Sequence, residues 1–569
     1  MLRRRKSAEH NFLFYLFMKK LLLILFVCLS YTLADAGVRS AFEMQKIAFS
    51  QLKSFRQTPS ANSRLLSANQ IICVDDAKAY SVYEVHDMGF VIVGKDTRLP
   101  EVLGYSKTAY DADNMPDGLK YWLSQVSEAC AKGTPLTVRK RQVEPIEPFV
   151  TTRWGQDEPY NLLTPKLGSR NTPTGCVATA MAQAINYMQY PESAAFTGKY
   201  YLGENDETGN SGTVNSTYTY PLKMAYGQYV DADGVTQTME YTNEEANAVA
   251  TLMRDCGYAV EMQYTASGSG AFMGDAGAAL ISKFKYPATN IKTYYRDYYA
   301  EDEWFDIVHT ELANKNPVLY GGSDKQFGGH AFVFAGMDET GKVYVNWGWD
   351  GSQDGFYDIL LLNPQLYYFT TGNDMVTGIR KTKELDCDKN IYQFLTDAPY
   401  TFKFLDKKNM SLTLNGSLYN AGVYSSRFNL DIVAENTETQ EAVSIANIVE
   451  RVSIQTFYGF QAGTDTTEYE QLAPGQYKLY IGVKRNSDSK WTLVRTIGGE
   501  VWYNISVASD GTVTLDETPV YTGITAPKVY TGVSKAAGRF KGTYDLQGRS
   551  VNSDYRGVMI KDGRKVLKR

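Results

Sequence analysis

Histidine is scarce in this 569-residue chain: His10, His86, His309 and His330 are the four. Any chemistry that needs an imidazole must choose among them. Cysteine is scarce too, at six, which is too few for a scaffold built on disulfides. No CxxC occurs, so neither a zinc cluster nor a thioredoxin-like motif is supported. H-E-x-x-H, G-x-S-x-G and the Walker A loop are also missing, and no cofactor or metal is expected. An excess of positive charge is lacking as well: 58 Lys+Arg against 63 Asp+Glu gives −5, so no basic field favours nucleic acid as a partner. Past residue 36 no run is apolar enough to span a bilayer, and there is no tandem repeat or low-complexity tract. What the chain does have is aromatic residues and glycine: 42 Tyr, 25 Phe and 7 Trp beside 47 Gly. That composition reads as rich in strands and turns, and the length corresponds to three or four folded units at about 150 residues each.

Residues 1–36 read as an export signal. Met18-Lys19-Lys20 supplies a positive start, Leu21 to Leu33 an apolar run, and Ala34-Asp35-Ala36 a small-x-small cleavage pattern. The run would span about 20 Å as a helix, short of the ~30 Å bilayer core, so a transmembrane anchor is the weaker alternative. Because Met18 opens so complete a signal, residues 1–17 read as an upstream extension. The mature protein is expected to be soluble and exported, secreted or on the cell surface. With Cys28 removed, Cys73, Cys130, Cys176, Cys256 and Cys387 remain. An odd number leaves at least one thiol free or paired between chains, and the pairing of the other four stays open.

The remainder divides into four parts. Residues 37–145 form an α+β unit: a helix over Ala41–Leu52, strands at Val82–Val85 and Gly89–Val93, and a helix opened by Met115-Pro116-Asp117-Gly118. The stretch Val138-Arg139-Lys140-Arg141-Gln142, then Pro145 and Pro148, reads as an exposed linker open to proteolysis. Residues 146–385 mix helix and strand. Residues 390–520 show period-two alternation, as in Leu412–Leu414, Phe428–Ile432 and Tyr477–Ile481, the pattern of a small β-sandwich. A Gly/Thr/Lys-rich linker covers roughly 520–540, and residues 540–569 form a short β tail.

The central unit carries the chemistry. In Pro173-Thr174-Gly175-Cys176-Val177-Ala178-Thr179-Ala180-Met181-Ala182-Gln183, a tight approach leads into a helix apolar over most of its circumference, hence buried. Cys176 falls in its first turn, where unpaired N–H groups and the helix dipole favour a thiolate and can donate to an oxyanion. The competing reading is a structural cysteine opening a core helix. A thiolate nucleophile wants a base. His330 follows two glycines and opens the strand Ala331–Ala335, with Asn346 to Trp349 opposite across a hairpin; its competing reading is a satisfied core histidine. His86 sits in a turn and His309 on a helix, where surface or packing roles suffice. Gln156, shortly before the cysteine, is of a type that can supply a second oxyanion donor.

In this order, Trp154-x-Gln156-x-x-Pro159-Tyr160-Asn161, the Pro173–Gln183 segment, and Gly329-His330-Ala331 followed by Val345-Asn346-Trp347-Gly348-Trp349-Asp350-Gly351 resemble the streptopain family of papain-like cysteine peptidases. Gly89–Val93, Leu103-Gly104-Tyr105-Ser106 and Asn114-Met115-Pro116 resemble that family's inhibitory propeptide. The resemblance implies an α+β, papain-like catalytic domain of two subdomains with the site in the cleft between them. Cys176 would be the nucleophile, His330 the base and Gln156 an oxyanion donor. Trp347 would stand where such enzymes place a His-orienting residue, with Asn346 adjacent and Trp349 lining the cleft. Thr164-Pro165 stands where relatives often have Cys-Pro. The tail, Tyr544-Asp545-Leu546-Gln547-Gly548-Arg549 and Gly557-Val558-Met559-Ile560, resembles a sorting domain read by the type IX secretion machinery. These resemblances imply a secreted cysteine endopeptidase made as a zymogen, with protein or peptide substrates and its own propeptide as intramolecular inhibitor. The rival readings are a cell-surface adhesion or binding protein, resting on the sandwich, and a transglutaminase-like thiol transferase.

Overall fold

The computed structural model describes residues 37–55, 68–86, 88–131, 141–222, 228–230, 236–238, 241–324, 328–359, 374–382, 393–423, 425–454, 459–461, 463–522, 543–545, 557–561 and 564–568. The export signal with Met18, Lys140 and Cys387 lie outside the described residues, as does most of the tail apart from three short strands paired in one sheet.

The helix α1 (Ala41–Ser54) is fixed at its start by a capping box: Ser40 Oγ accepts from the Glu43 N–H, and the Glu43 carboxylate accepts from the Ser40 N–H. It buries Met44, Ala48 and Leu52, at the four-residue spacing of one helix face, against Val91 and Val93. The strands beneath are β1 (Ile72–Asp76), β2 (Tyr80–Val85), β3 (Gly89–Gly94) and β4 (Val102–Ser106). The helix α2 (Asp117–Ala131) follows.

The central unit contributes α3 (Cys176–Met188), α4 (Asn243–Ala259), α5 (Met273–Ser282), the strand β5 (Lys292–Tyr295), α6 (Glu301–Ala313), and the strands β6 (Val318–Asp324), β7 (Gly328–Met337), β8 (Val343–Asn346), β9 (Gly355–Tyr357) and β10 (Asp374–Thr377). One ten-stranded sheet runs through both units in the order β1-β2-β3-β4-β9-β8-β7-β6-β10-β5. The join is the antiparallel pair β4–β9, with Tyr357 opposite Gly104 and Gly355 opposite Ser106. Glycine is needed at 104, because a Cβ there would run into the Tyr357 ring.

The two faces of this sheet hold separate cores. On one, α3, α4 and α5 cover Leu319, Ala331, Val333 and Ala335. On the other, α2 and α6 cover Tyr320, Phe332, Phe334 and Val345; here Leu119, Trp122 and Val126 share one apolar cluster with Trp304 and Trp347. The alternation Ala331–Phe332–Val333–Phe334 is thus small side chains toward the tightly approached α3 and large rings toward α2 and α6.

The stretch from Arg141 differs from a free linker. Arg141 pairs with Glu301 and Asp302 and lies 3.9 Å over the Phe305 ring. Backbone bonds then fasten Val143 to Glu339, Ile146 to Met337 and Phe149 to Ala335. Main-chain pairing holds this segment, and side-chain composition carries little trace of that.

Strands between Phe394 and Tyr521 form three further sheets around one core that includes Phe394, Leu414, Phe428, Leu479 and Ile505. They dock on the peptidase unit through Arg495, whose guanidinium reaches Glu303 at 2.8 Å and the Tyr298 carbonyl at 3.0 Å across the junction and Glu500 at 3.0 Å on its own side, and through the Tyr298–Tyr419 and Tyr299–Gln393 hydrogen bonds.

Candidate active site

Residues 173–175 are held before the helix begins. The Thr174 N–H donates to the Gln156 carbonyl at 2.9 Å, Ser269 Oγ donates to the Pro173 carbonyl at 2.7 Å, and the Thr174 and Thr179 hydroxyls meet at 2.8 Å. Gly175 has φ 87°, and a Cβ there would sit 2.8 Å from the Met262 sulfur, so only glycine makes this turn. The turn delivers Cys176 as the first residue of α3.

The half-buried Cys176 thiol lies 3.9 Å from the Gly329 carbonyl on β7. Burial pushes the thiol above its ordinary range; the N–H groups of Ala331, Val177 and Cys176 itself pull against this, and the Asp117 carboxylate adds a smaller upward push. The thiol therefore touches the peptide units on both sides of His330. That histidine is half-buried on β7, opposite Gly322 of β6. Of the other described histidines, His86 is exposed at the β2–β3 turn and His309 stacks on Phe305 with centroids 5.9 Å apart.

Gln156 is half-buried and tied through its carbonyl to Thr174, two residues before the thiol. Thr164, in the Thr-Pro pair, uses its hydroxyl to bridge the Asn161 and Thr172 carbonyls at 2.9 and 2.6 Å. Asn346 is buried, and its Oδ1 accepts from Gln183 Nε2 and the Gly348 N–H, both at 3.0 Å, while its Nδ2 donates to the Thr152 carbonyl. Thr152 closes the loop by donating to Gln183 at 2.7 Å. Both acceptor positions of the Asn346 amide are thus engaged, the one from Gln183 bracing α3 against β8. The Trp347 indole N–H donates to the Gln353 carbonyl at 3.1 Å, and its ring packs on Phe332 at 4.8 Å and Tyr357 at 5.3 Å. Trp349 is half-buried at the margin of the same cluster.

Two features escaped sequence reasoning. The start of α2 lies against the site: a Cβ on Gly118 would stand 2.8 Å from the Trp347 ring, and Asp117 is close enough to act on the thiol. Asp354 also supports Trp347, accepting from its backbone N–H at 2.9 Å; burial pushes that carboxyl up to about 7. The signal for the first is a glycine one residue into a helix; for the second there is none in a single sequence. Among the described residues no group of three or more His, Cys, Asp or Glu is placed to hold a metal ion.

Comparison with known proteins bears on these residues. Residues 154–357 match the Peptidase C10 family, and residues 40–130 match the Spi protease inhibitor. Streptopain of Streptococcus pyogenes is 31% identical over 305 residues, which cover 50% of this chain and 74% of streptopain. The thiol protease/hemagglutinin PrtT of Porphyromonas gingivalis is 29% identical over 456 residues, 72% of this chain and 49% of PrtT, so the chain spans about half the length of that relative. Prointerpain A of Prevotella intermedia superposes with a TM-score of 0.49 at 37% identity, over 55% of this chain and 99% of that one. The identity to streptopain, with the peptidase match spanning residues 154–357 and the inhibitor match residues 40–130, means that the chain belongs to the streptopain family of cysteine-type endopeptidases, peptidase family C10, and carries ahead of its peptidase unit the inhibitor-type propeptide domain.

Proposed function

We propose that this chain is the latent precursor of a secreted endopeptidase in which Cys176 attacks peptide carbonyls with His330 as its base. The observation that carries the reading is the thiol at the first turn of α3, in contact with the peptide units that flank His330. In the mature enzyme the thiolate adds to the scissile carbonyl carbon. The oxyanion receives hydrogen bonds from the Cys176 N–H and the Gln156 side-chain amide. The imidazolium of His330 gives its proton to the leaving amine as the C–N bond breaks, which leaves a thioester on Cys176. Water, deprotonated by the same imidazole, adds to the thioester and releases the acid.

Latency rests on the propeptide, residues 37 to about 140. The α2 start seated on Trp347 and Phe332, the upward push of Asp117 and burial on the thiol, and the β4–β9 join all favour a covered, protonated cysteine. A cut between residues 132 and 140 would leave Arg141–Val150 fastened to the peptidase unit by its ion pairs and backbone bonds. The export signal at 1–36, and routing of the protein by its tail at 540–569, belong to the same proposal.

The test uses the full chain. Wild type should shorten to the mature form and digest denatured casein, whereas Cys176→Ala and His330→Ala should stay full-length and inactive with unchanged circular dichroism. Digestion by folded Cys176→Ala would overturn the assignment. Equal shortening of wild type and Cys176→Ala would assign maturation to another protease.

A further inference from the structure

The turn between β8 and β9 clasps the segment that carries Gln156, and a carboxyl group sits in the clasp. The Asp350 N–H donates to the Trp154 carbonyl at 3.3 Å, and the Arg153 stem lies over Gly351, where a Cβ would stand 2.7 Å from Arg153 Cγ. Between these contacts Gly155 leaves an open place. A Cβ on Gly155 would come 2.5 and 2.6 Å from the two Asp350 carboxyl oxygens, so the carboxyl group occupies the volume of a side chain that residue 155 does not have. Asp350 adopts φ 53°, in the left-handed region that glycine, asparagine and aspartate tolerate. Next after Gly155 comes Gln156, whose carbonyl accepts from the Thr174 N–H at 2.9 Å, two residues before the thiol. The main chain at Gln156 is thus held on one side by the turn that delivers Cys176 and on the other by Asp350.

We propose that Asp350 is a positioning residue for the oxyanion donor: its uncharged carboxyl group wedges the Gln156 segment against the Cys176 turn, and its ionisation opposite Asp157 loosens that wedge and sets an alkaline limit to kcat. The inference rests on the reading of Gln156 as an oxyanion donor. Asp350 is half-buried, and among the described residues its carboxyl group meets no cation and no hydrogen-bond donor. Burial first, and then the Asp157 carboxylate, push it up to about 6. The other charged groups at the clasp do not reverse this. Asp157 stands on the Gln156 segment itself. Asp354 ends the same turn, its N–H donating to the Gly351 carbonyl at 3.4 Å, and the Arg153 guanidinium acts on Asp354. Once charged, Asp350 repels Asp157 across Gln156 and gains by hydration, and both effects favour a carboxylate that swings out of the place beside Gly155. A negative charge one residue from the oxyanion donor also opposes the charge that develops there in the transition state.

The test follows kcat and KM of the matured enzyme on one fluorogenic peptide from acid to alkaline pH. Because the oxyanion forms only on the way to the transition state, the effect belongs in kcat. Wild type should lose kcat roughly three- to tenfold through a step near pH 6 with KM nearly unchanged, a fraction of the roughly 10²–10³-fold that loss of an oxyanion donor costs. Asp350→Asn, which fills the same place and stays neutral, should lack the step. Asp350→Gly, which empties the place without backbone strain, should lower kcat at every pH. Gly155→Ala added to it should restore part of the loss, since the new methyl takes the volume of the carboxyl group. In a Gln156→Ala background, Asp350→Asn should no longer change the profile. A merely structural aspartate would move the Tm without a step in kcat, and its effect would be the same with or without Gln156. Absence of the step in wild type, its persistence in Asp350→Asn, or an Asp350→Asn effect of equal size in the Gln156→Ala background overturns the inference while the peptidase reading stands. Full activity of Gln156→Ala overturns it together with the oxyanion role of Gln156 and leaves Cys176 and His330 in place. Failure of wild type to cleave the peptide or casein at any pH overturns the peptidase reading as well.

Discussion

Gly118 is where the seating of the propeptide can be measured with one methyl group. The residue lies in the first turn of α2, and a Cβ placed on it would stand 2.8 and 2.9 Å from two carbons of the Trp347 ring and 3.2 Å from Phe332 Cδ1. Two effects compete in Gly118→Ala. Within a helix the change lowers backbone entropy cost and stabilises by at most about 1 kcal/mol, less in a first turn. Against an indole ring it overpacks, at a cost of about 1–3 kcal/mol. The ring cannot easily give way, because its N–H is bonded to Gln353 and its other contacts are Phe332 and Tyr357. The contact should win by about 1–2 kcal/mol, which is roughly 5–30-fold in the ratio of docked to undocked propeptide. Two assays read this. In the Cys176→Ala background, hydrogen exchange along α2 should accelerate by that factor while β7 stays protected. In the active background, the precursor should mature faster and show more cleavage of a fluorogenic peptide at early times. Slower exchange and slower maturation would mean that helix propensity dominates, and would refute the seating of α2 on Trp347 as the latch.

Other expectations follow from the same contacts. Asn346→Ala removes the acceptor of the Gln183 amide and the Gly348 N–H in a buried site; at about 1–3 kcal/mol for each orphaned group, urea unfolding should show a loss of about 3 kcal/mol. Arg495→Ala breaks the Glu303 and Glu500 pairs, whose carboxylates are about one third exposed. The loss should fall below that of a fully buried pair, at about 2–3 kcal/mol; limited proteolysis should release the sandwich, while a folded sandwich that stays attached would refute its role as the clamp. Asp354, pushed by burial up to about 7, and Asp350 and Asp358, pushed up to about 6, bind protons more tightly folded than unfolded, where carboxylates titrate near 4. Folding then takes up protons between about pH 4 and 7, so stability should fall as pH rises through that window and level off above it. The Tm of the Cys176→Ala precursor should be higher at pH 5 than at pH 8, and Asp354→Asn should flatten the slope; a Tm that rises with pH would contradict the burial of these groups.

Much of the local structure is legible in the residues. Ser40 with Glu43 announces the start of α1, the alanine-rich run after Gly175 announces a buried helix, and paired glycines before Ala331 announce the strand that carries His330. The β-rich region after residue 390 shows in its period-two alternation, as in β-strand 475–484, buried at alternate positions near its start. What escapes is set by partners distant in sequence. The continuous sheet depends on β4 and β9 pairing across some 250 positions, a matter of backbone hydrogen bonding that no side chain declares. The engagement of Asn346 depends on Thr152 and Gln183 arriving from two other segments.

The central claim is that His330 activates the Cys176 sulfur once the propeptide has left, and the rate of alkylation of that thiol against pH tests it most directly. With iodoacetamide and peptide mapping by mass spectrometry to isolate Cys176 from other thiols, the mature enzyme should react through a group titrating well below the ordinary thiol range of about 8.5. The unprocessed chain, where burial holds the thiol up, should react slowly with a midpoint above that range. His330→Ala in the mature form should move the profile upward by at least one unit. Superimposable profiles for mature wild type and His330→Ala would contradict the account.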